Sequence, residues 1–175
     1  MAPGVCSTYN TSFTEAPLVH LELTTLISAP IERCFDLSRS VELHLRGADE
    51  TGEKAIGGTT SGLLGPGDYV RWRATHFGVP QNLSSRITAF EFPRYFQDTM
   101  FEGAFKFMRH DHFFTAVSPD RTNMTDHFDF AAPLPVLGPL AERLFLARYM
   151  KQFLEKRNAV IKEIAESPDW HHFLP

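Results

Sequence analysis

The chain has 175 residues, enough to bury the core of one ordinary domain and cramped for two. Lys and Arg total 17 against 21 Asp and Glu, for a formal charge of −4, and the basic residues never gather into the concentrated face that nucleic-acid binding requires. No run approaches the ~20 apolar residues of a bilayer span, and Cys6 and Cys34 form neither a CxxC pair nor a disulfide framework, so a protein of the reducing cytoplasm is expected.

Residues 1–17 are polar and lack an apolar h-region, so they read as a flexible tail and not as a signal peptide. From Val19 to Ile27 apolar and polar residues alternate with many β-formers, which predicts a half-buried strand. Ser28-Ala29-Pro30 stops it. Pro30 presets helical φ and Glu32 suits the positive end of a helix, so a short helix is predicted over Ile31 to Leu37, with Ile31, Cys34 and Phe35 inward. A second short helix is predicted around Val41 to Arg46. The glycine-rich stretch from Gly57 to Asp68 has room for one weak strand between loops.

A meander follows. Tyr69 to Phe77, Leu83 to Phe92, Tyr95 to Phe101, Phe105 to Ala116 and Asn123 to Phe130 are rich in β-branched and aromatic residues. They are separated by Gly78-Val79-Pro80, Pro93, Gly103 and Ser118-Pro119-Asp120. Short links between such strands make an antiparallel sheet. Pro133, Pro135, Gly138 and Pro139 interrupt the pattern. Leu140 to Ala165 then has neither Pro nor Gly and carries apolar residues at Leu140, Leu144, Ala147, Met150, Leu154, Ile161 and Ile164. That spacing predicts an amphipathic helix of about seven turns, long enough to cross the whole sheet. Pro168 ends it, and 167–175 read as a C-terminal tail in which His171 and His172 carry no assigned role. The domain therefore spans 18–166. Its 16 Phe against 4 Tyr point to a core or cavity wall built from rings without a polar handle.

The order of strand, two short helices, meander and long terminal helix resembles the SRPBCC superfamily, also called START-like or Bet v 1-like. Within it the chain is similar to the small bacterial polyketide cyclase/dehydrase-like proteins. The likeness rests on Ile27-Ser28-Ala29-Pro30-Ile31-Glu32-Arg33-Cys34-Phe35, on Gly67-Asp68-Tyr69-Val70, on Ile87 through Phe96 around Pro93, on Gly103-Ala104-Phe105, on His110-Asp111-His112-Phe113-Phe114, and on Pro133-Leu134 before Leu137-Gly138. The resemblance implies an α+β helix-grip fold: a curved antiparallel sheet of six to seven strands wrapped around the long helix, with a ligand cavity between. Superfamily members include lipid and hormone carriers as well as cyclases, so the fold leaves the function open.

The sharpest local feature is Arg109-His110-Asp111-His112. Strand residues two apart share a face, so His110 and His112 point the same way, and parity with Met108 and Phe114 turns them inward. A metal would need a third ligand from Asp126, His127 or Asp98; cavity imidazoles hydrogen-bonded to carboxylates are the favoured reading, and no metal or other cofactor is expected. Asp98 and Asp126 share inward parity with Phe96, Met100, Met124 and Phe128. In a buried pair the imidazole would move the proton and the Asp would orient it, against the simpler reading of a structural ion pair. On the strand after Gly67, Val70, Trp72, Ala74 and His76 face the cavity and Arg71 and Arg73 face water. Arg86 has no clear face and reads as surface.

The glycine cluster lacks the ending of a phosphate loop, no acyl-transfer triad is visible, and Cys34 on a buried helical face is expected to be inert. The leading expectation is a binding module for a small hydrophobic or aromatic molecule of lipid or polyketide-like kind, as a monomer or homodimer. Its walls would be Trp72, Phe96, Met100, Phe107, Met108, Phe114, Phe128, Leu144 and Ala147, with His76, His110, His112, Asp98 and Asp126 orienting the ligand. Phe107 is at odds with the parity of Met108. The alternatives are a cofactor-independent cyclase or dehydrase that uses His110, His112, Asp98 and Asp126 for proton transfer, and an interaction module whose cavity is vestigial.

Overall fold

The structure, a computed structural model, describes residues 18–132 and 139–174. The expected tail at 1–17 and the Pro-rich break at 133–138 lie outside the described residues. Strand β1 (Val19–Ile27) leads into helix α1 (Ile31–Ser38) and helix α2 (Val41–Gly47). Pro30, at φ −58°, takes the N-cap of α1, one residue before the helix proper. Ser40 caps α2 by accepting the Leu43 N–H. Strand β2 (Lys54–Gly58) comes next, then β3 (Tyr69–His76), β4 (Val79–Glu91), β5 (Tyr95–Glu102), β6 (Phe107–Ser118), β7 (Arg121–Ala131) and helix α3 (Pro139–Glu166). A 3₁₀ turn at Pro168–His172 closes the described chain.

The seven strands form one antiparallel sheet in the order β1-β7-β6-β5-β4-β3-β2. Two strand starts differ from the sequence reading by more than two residues, while β6 and β7 shift by two or fewer at either end. Strand β2 begins at Lys54, ahead of the glycine-rich stretch, because Lys54 and Ala55 pair with Arg73 and Trp72 before a bulge lets Gly57 and Gly58 continue the ladder. Strand β4 begins at Val79 and not Leu83: Phe77 and Gly78 both have positive φ, 53° and 76°, the signature of a two-residue type I′ hairpin. That tight turn puts His76 opposite Val79 and draws Pro80 into the ladder opposite Thr75.

The concave face of the sheet carries Val70, Trp72, Ile87, Phe96, Met108, Phe114, Met124 and Phe128, all buried, as period-two alternation requires. Helix α3, 28 residues long, lays Met150, Leu154, Ile161, Ile164 and Ala165 on it. Two packed clusters result. Around Phe35 of α1, the residues Phe96, Phe114, Met124, Ile161 and Ile164 join sheet to helix at one end; at the other, Val19, Met108, Phe128, Phe130, Met150 and Leu154 do so. A smaller group, Val41, Val70 and Trp72, seats α2 on β3.

Candidate functional site

The gap among these clusters is a cavity of roughly 310 Å³, at the low end of the volumes that hold small molecules, ~300–1,000 Å³. Trp72 and His76 of β3, Phe96 and Asp98 of β5, Met108 and His110 of β6 and Phe128 of β7 line it. From α3 come Leu146, Tyr149, Met150, Phe153, Leu154 and Arg157.

Not every expected wall residue reaches this space. Phe107 points outward and is 38% exposed, since Met108 beside it takes the inner face. Leu144 is 64% exposed, because the helix presents Leu146 to the cavity, and two residues of α-helix are a turn of about 200°. Met100 and Ala147 pack into the cluster of Met108 and Phe130 without lining the cavity. Phe114 belongs to the core around Phe35. Arg86 is exposed on the outer face, with its guanidinium over the Phe101 and Tyr69 rings.

Behind the cavity wall runs one hydrogen-bonded chain. Asp126 Oδ1 lies 2.9 Å from both His110 Nε2 and His112 Nδ1, and its Oδ2 accepts Asn158 Nδ2 at 2.6 Å. His112 Nε2 meets Asp98 Oδ2 at 3.2 Å. The rings of His110 and His112 lie 3.8 Å apart, and Phe96 covers the other side of His112 at 4.2 Å. Strand register builds this: His112 pairs with Phe96 and Asp126, and His110 with Asp98 and Phe128, across three neighbouring strands. His112 and Asp126 thus stand in the wall, while His110 and Asp98 open on the cavity.

The charges divide accordingly. Burial favours a neutral His112, but the hydrogen bonds it donates to two carboxylates outweigh burial and raise its pKa. Burial together with repulsion from His112 drives His110 down to about 4 despite Asp126. Burial opposes ionisation of Asp126 and Asp98 as well, yet the imidazoles hold both below the usual carboxylate range. The chain therefore consists of two carboxylates sharing the proton-rich His112, with a neutral His110 beside them. Donation from Nε2 to Asp126 leaves the Nδ1 lone pair of His110 as a weak base on the cavity wall.

Asp98, His110 and His112 each offer a ligand atom within 4.8 Å of the others', so these three are the residues that would hold a cation. Since each nitrogen of His112 lies on its own carboxylate, a cation bound to either nitrogen would have to displace the proton which that nitrogen donates to Asp98 or Asp126.

The same cluster sets a pH dependence. Because the folded pKa of His110, about 4, lies below its ordinary 6.5, its contribution to stability is complete above pH 6.5 and is lost as pH falls toward 4, by about 3 kcal/mol. His112 has the opposite sign: its contribution is complete below its ordinary value of 6.5 and is lost as pH rises through its elevated folded value. Urea midpoints measured from pH 4 to 8 are expected to fall on the acid side in the wild type and to flatten there in His110→Gln. An acid limb unchanged by the substitution would assign it to other groups.

Two further polar pairs line the cavity, and of their four members sequence reasoning named only His76. His44 lies flat on Trp72 at 4.1 Å and bonds Glu53 at 3.1 Å; burial opposes the Glu53 charge, but His44 holds its pKa down. His76 Nδ1 meets Tyr149 Oη at 2.6 Å, with burial lowering the His76 pKa. The residues missed on α3 were nonetheless signalled: Arg157 and Asn158 sit seven residues after Met150 and four after Leu154, positions where the apolar stripe should continue. Cys34 is buried, and desolvation pushes its thiol up to about 11, which leaves it unreactive. His171 and His172 are exposed and away from the cavity.

No protein-family model and no curated protein sequence matches the chain. Solved structures share its fold. A protein of Thermus thermophilus superposes with a TM-score of 0.67 at 19% identity, over 84% of this chain and 95% of that one. The ZhuI aromatase/cyclase of Streptomyces sp. R1128 gives 0.70 at 16% identity, over 86% and 94%, and a START superfamily protein of Mycobacterium smegmatis 0.64 at 14%, over 84% and 97%. The fold is thus the helix-grip fold that the sequence resemblance implied. No helix among the described residues is long and apolar enough to cross a membrane.

Proposed function

We propose that this protein takes up a small hydrophobic or aromatic molecule in the cavity between sheet and long helix, as a carrier or sensor. The observation that supports this reading is the space itself, roughly 310 Å³ walled by Trp72, Phe96, Met108, Phe128 and Phe153 and edged by a few convergent polar groups. A vestigial cavity would have been filled by side chains, since protein interiors otherwise pack as densely as organic crystals. Naphthalene titrated by calorimetry is expected to bind with one-to-one stoichiometry. Ala74→Leu, which adds bulk on a cavity wall, is expected to weaken it roughly tenfold with an unchanged circular dichroism spectrum. Equal affinity in both proteins, or none in either, sinks the reading.

One observation favours a second reading, an enzyme of the cyclase or dehydrase kind: His110, neutral and oriented by Asp126, faces the same space as the Asp98 carboxylate. Such a wall is suited to taking a proton from a bound ligand and holding the resulting charge. His110→Gln separates the two, because a carrier keeps its affinity for the molecule co-purified from the native host, whereas an enzyme ceases to convert it.

A further inference from the structure

Arg157 is the cavity group whose position the readings above leave unexplained. It is 8% exposed and lines the cavity, and among the described residues its side chain makes one hydrogen bond, from Nη2 to the Ser38 carbonyl at 3.1 Å. Its Nε is buried without a partner, and no carboxylate of the described residues comes within the 4.0 Å of an ion pair. A guanidinium carries five donors and does not shed its charge, so a nearly enclosed one with a single acceptor is costly. The other charges here are engaged: Glu53 with His44, Asp98 with His112, and Asp126 with His110, His112 and Asn158. Glu53 and Asp98 lie near enough for Arg157 to help hold their pKa values down, but neither reaches its guanidinium within ion-pair distance.

The neighbours of Arg157 along the helix say what would be attached to such a counter-ion. Tyr149, Phe153 and Arg157 follow at intervals of four residues and all line the cavity, so the guanidinium ends a stripe whose preceding turns are aromatic. Met108, Phe128 and Leu154 complete the apolar side. A free inorganic anion would leave those surfaces unfilled, and a pure hydrocarbon would leave the guanidinium unpaired.

We infer that the ligand of this cavity is an aromatic carboxylic acid bound as its anion, with the carboxylate on the guanidinium of Arg157 and the apolar body along Phe153 toward Met108 and Phe128. The planar fork of arginine matches a carboxylate in a way that an ammonium does not. This inference rests on the cavity-binding reading and narrows it to one chemical class.

Three probes of one shape test it by calorimetry: naphthalene, 2-naphthoate and the neutral 2-naphthamide. The wild type is expected to bind 2-naphthoate roughly ten- to a hundredfold more tightly than 2-naphthamide, as a charge-assisted pair implies. In Arg157→Met that preference is expected to vanish, with naphthalene affinity within about twofold of wild type. If naphthalene binds while the wild type shows no preference, or if the preference survives in Arg157→Met, the carboxylate seat is overturned and the cavity reading stands. If none of the three probes binds, both fail. Should Arg157→Met not fold, the wild-type ¹⁵Nε resonance of Arg157 decides: it is expected to shift with 2-naphthoate and stay with 2-naphthamide, and equal response to both overturns the seat.

Discussion

Asp126→Ala is expected to cost about 3–5 kcal/mol of folding stability, the range seen when one partner is removed from a buried charged pair. Asp126 is the hub of the wall: it accepts His110 and His112 on one oxygen and Asn158 on the other, and it is buried with both imidazoles. Its loss leaves three donors without their acceptor inside a buried wall. Asp126→Asn is the informative companion. Its carbonyl oxygen can still accept from both histidines, but its amide nitrogen meets the Asn158 amide donor to donor, so a smaller loss of about 1–3 kcal/mol is expected. Urea unfolding at pH 6.5 measures both. A loss below about 1 kcal/mol for Asp126→Ala would show that the chain of hydrogen bonds contributes little to holding the three strands in register.

Phe35→Ala is expected to be comparably severe, at about 3–5 kcal/mol. Phe35 is 0% exposed, and its ring meets Phe90, Phe92, Phe96 and Phe114 edge-on with centroids 5.2–5.4 Å away. Edge-to-face pairs add to the burial energy of each ring. Four of them converge on one residue of a two-turn helix, so this side chain is what seats α1 between the sheet and the end of α3. The melting temperature should fall on the order of 10 °C. Phe35→Leu, which keeps most of the volume, is expected to lose under about 1.5 kcal/mol. Equal losses for the two substitutions would mean that ring geometry, and not filled volume, is decisive.

Much of this molecule is readable from local pattern. Alternation fixed which residues of β3, β5, β6 and β7 face inward, and so by itself brought Trp72, His76, Phe96, Asp98, Met108, His110, His112, Asp126 and Phe128 to one side of the sheet. The same rule explains Phe107: its parity opposed that of Met108, and it lies outside. The pairing of His112 with Asp126 and Asp98 was foreshadowed, because inward carboxylates on neighbouring strands have few other partners.

Periodicity within one chain segment thus determined the elements, their order and the two faces of each strand, since these depend on backbone geometry that repeats every two or 3.6 residues. How far inward a residue looks, and at what, depends on the layer opposite. Only the packing of α3 against the sheet set the rotation that exposes Leu144, turns Leu146 and Tyr149 to the cavity and buries Arg157. Only the contact between layers separated Phe114, which is core alone, from Phe96, which is both core and cavity wall. A cavity is a mismatch between two surfaces, and neither surface encodes it alone.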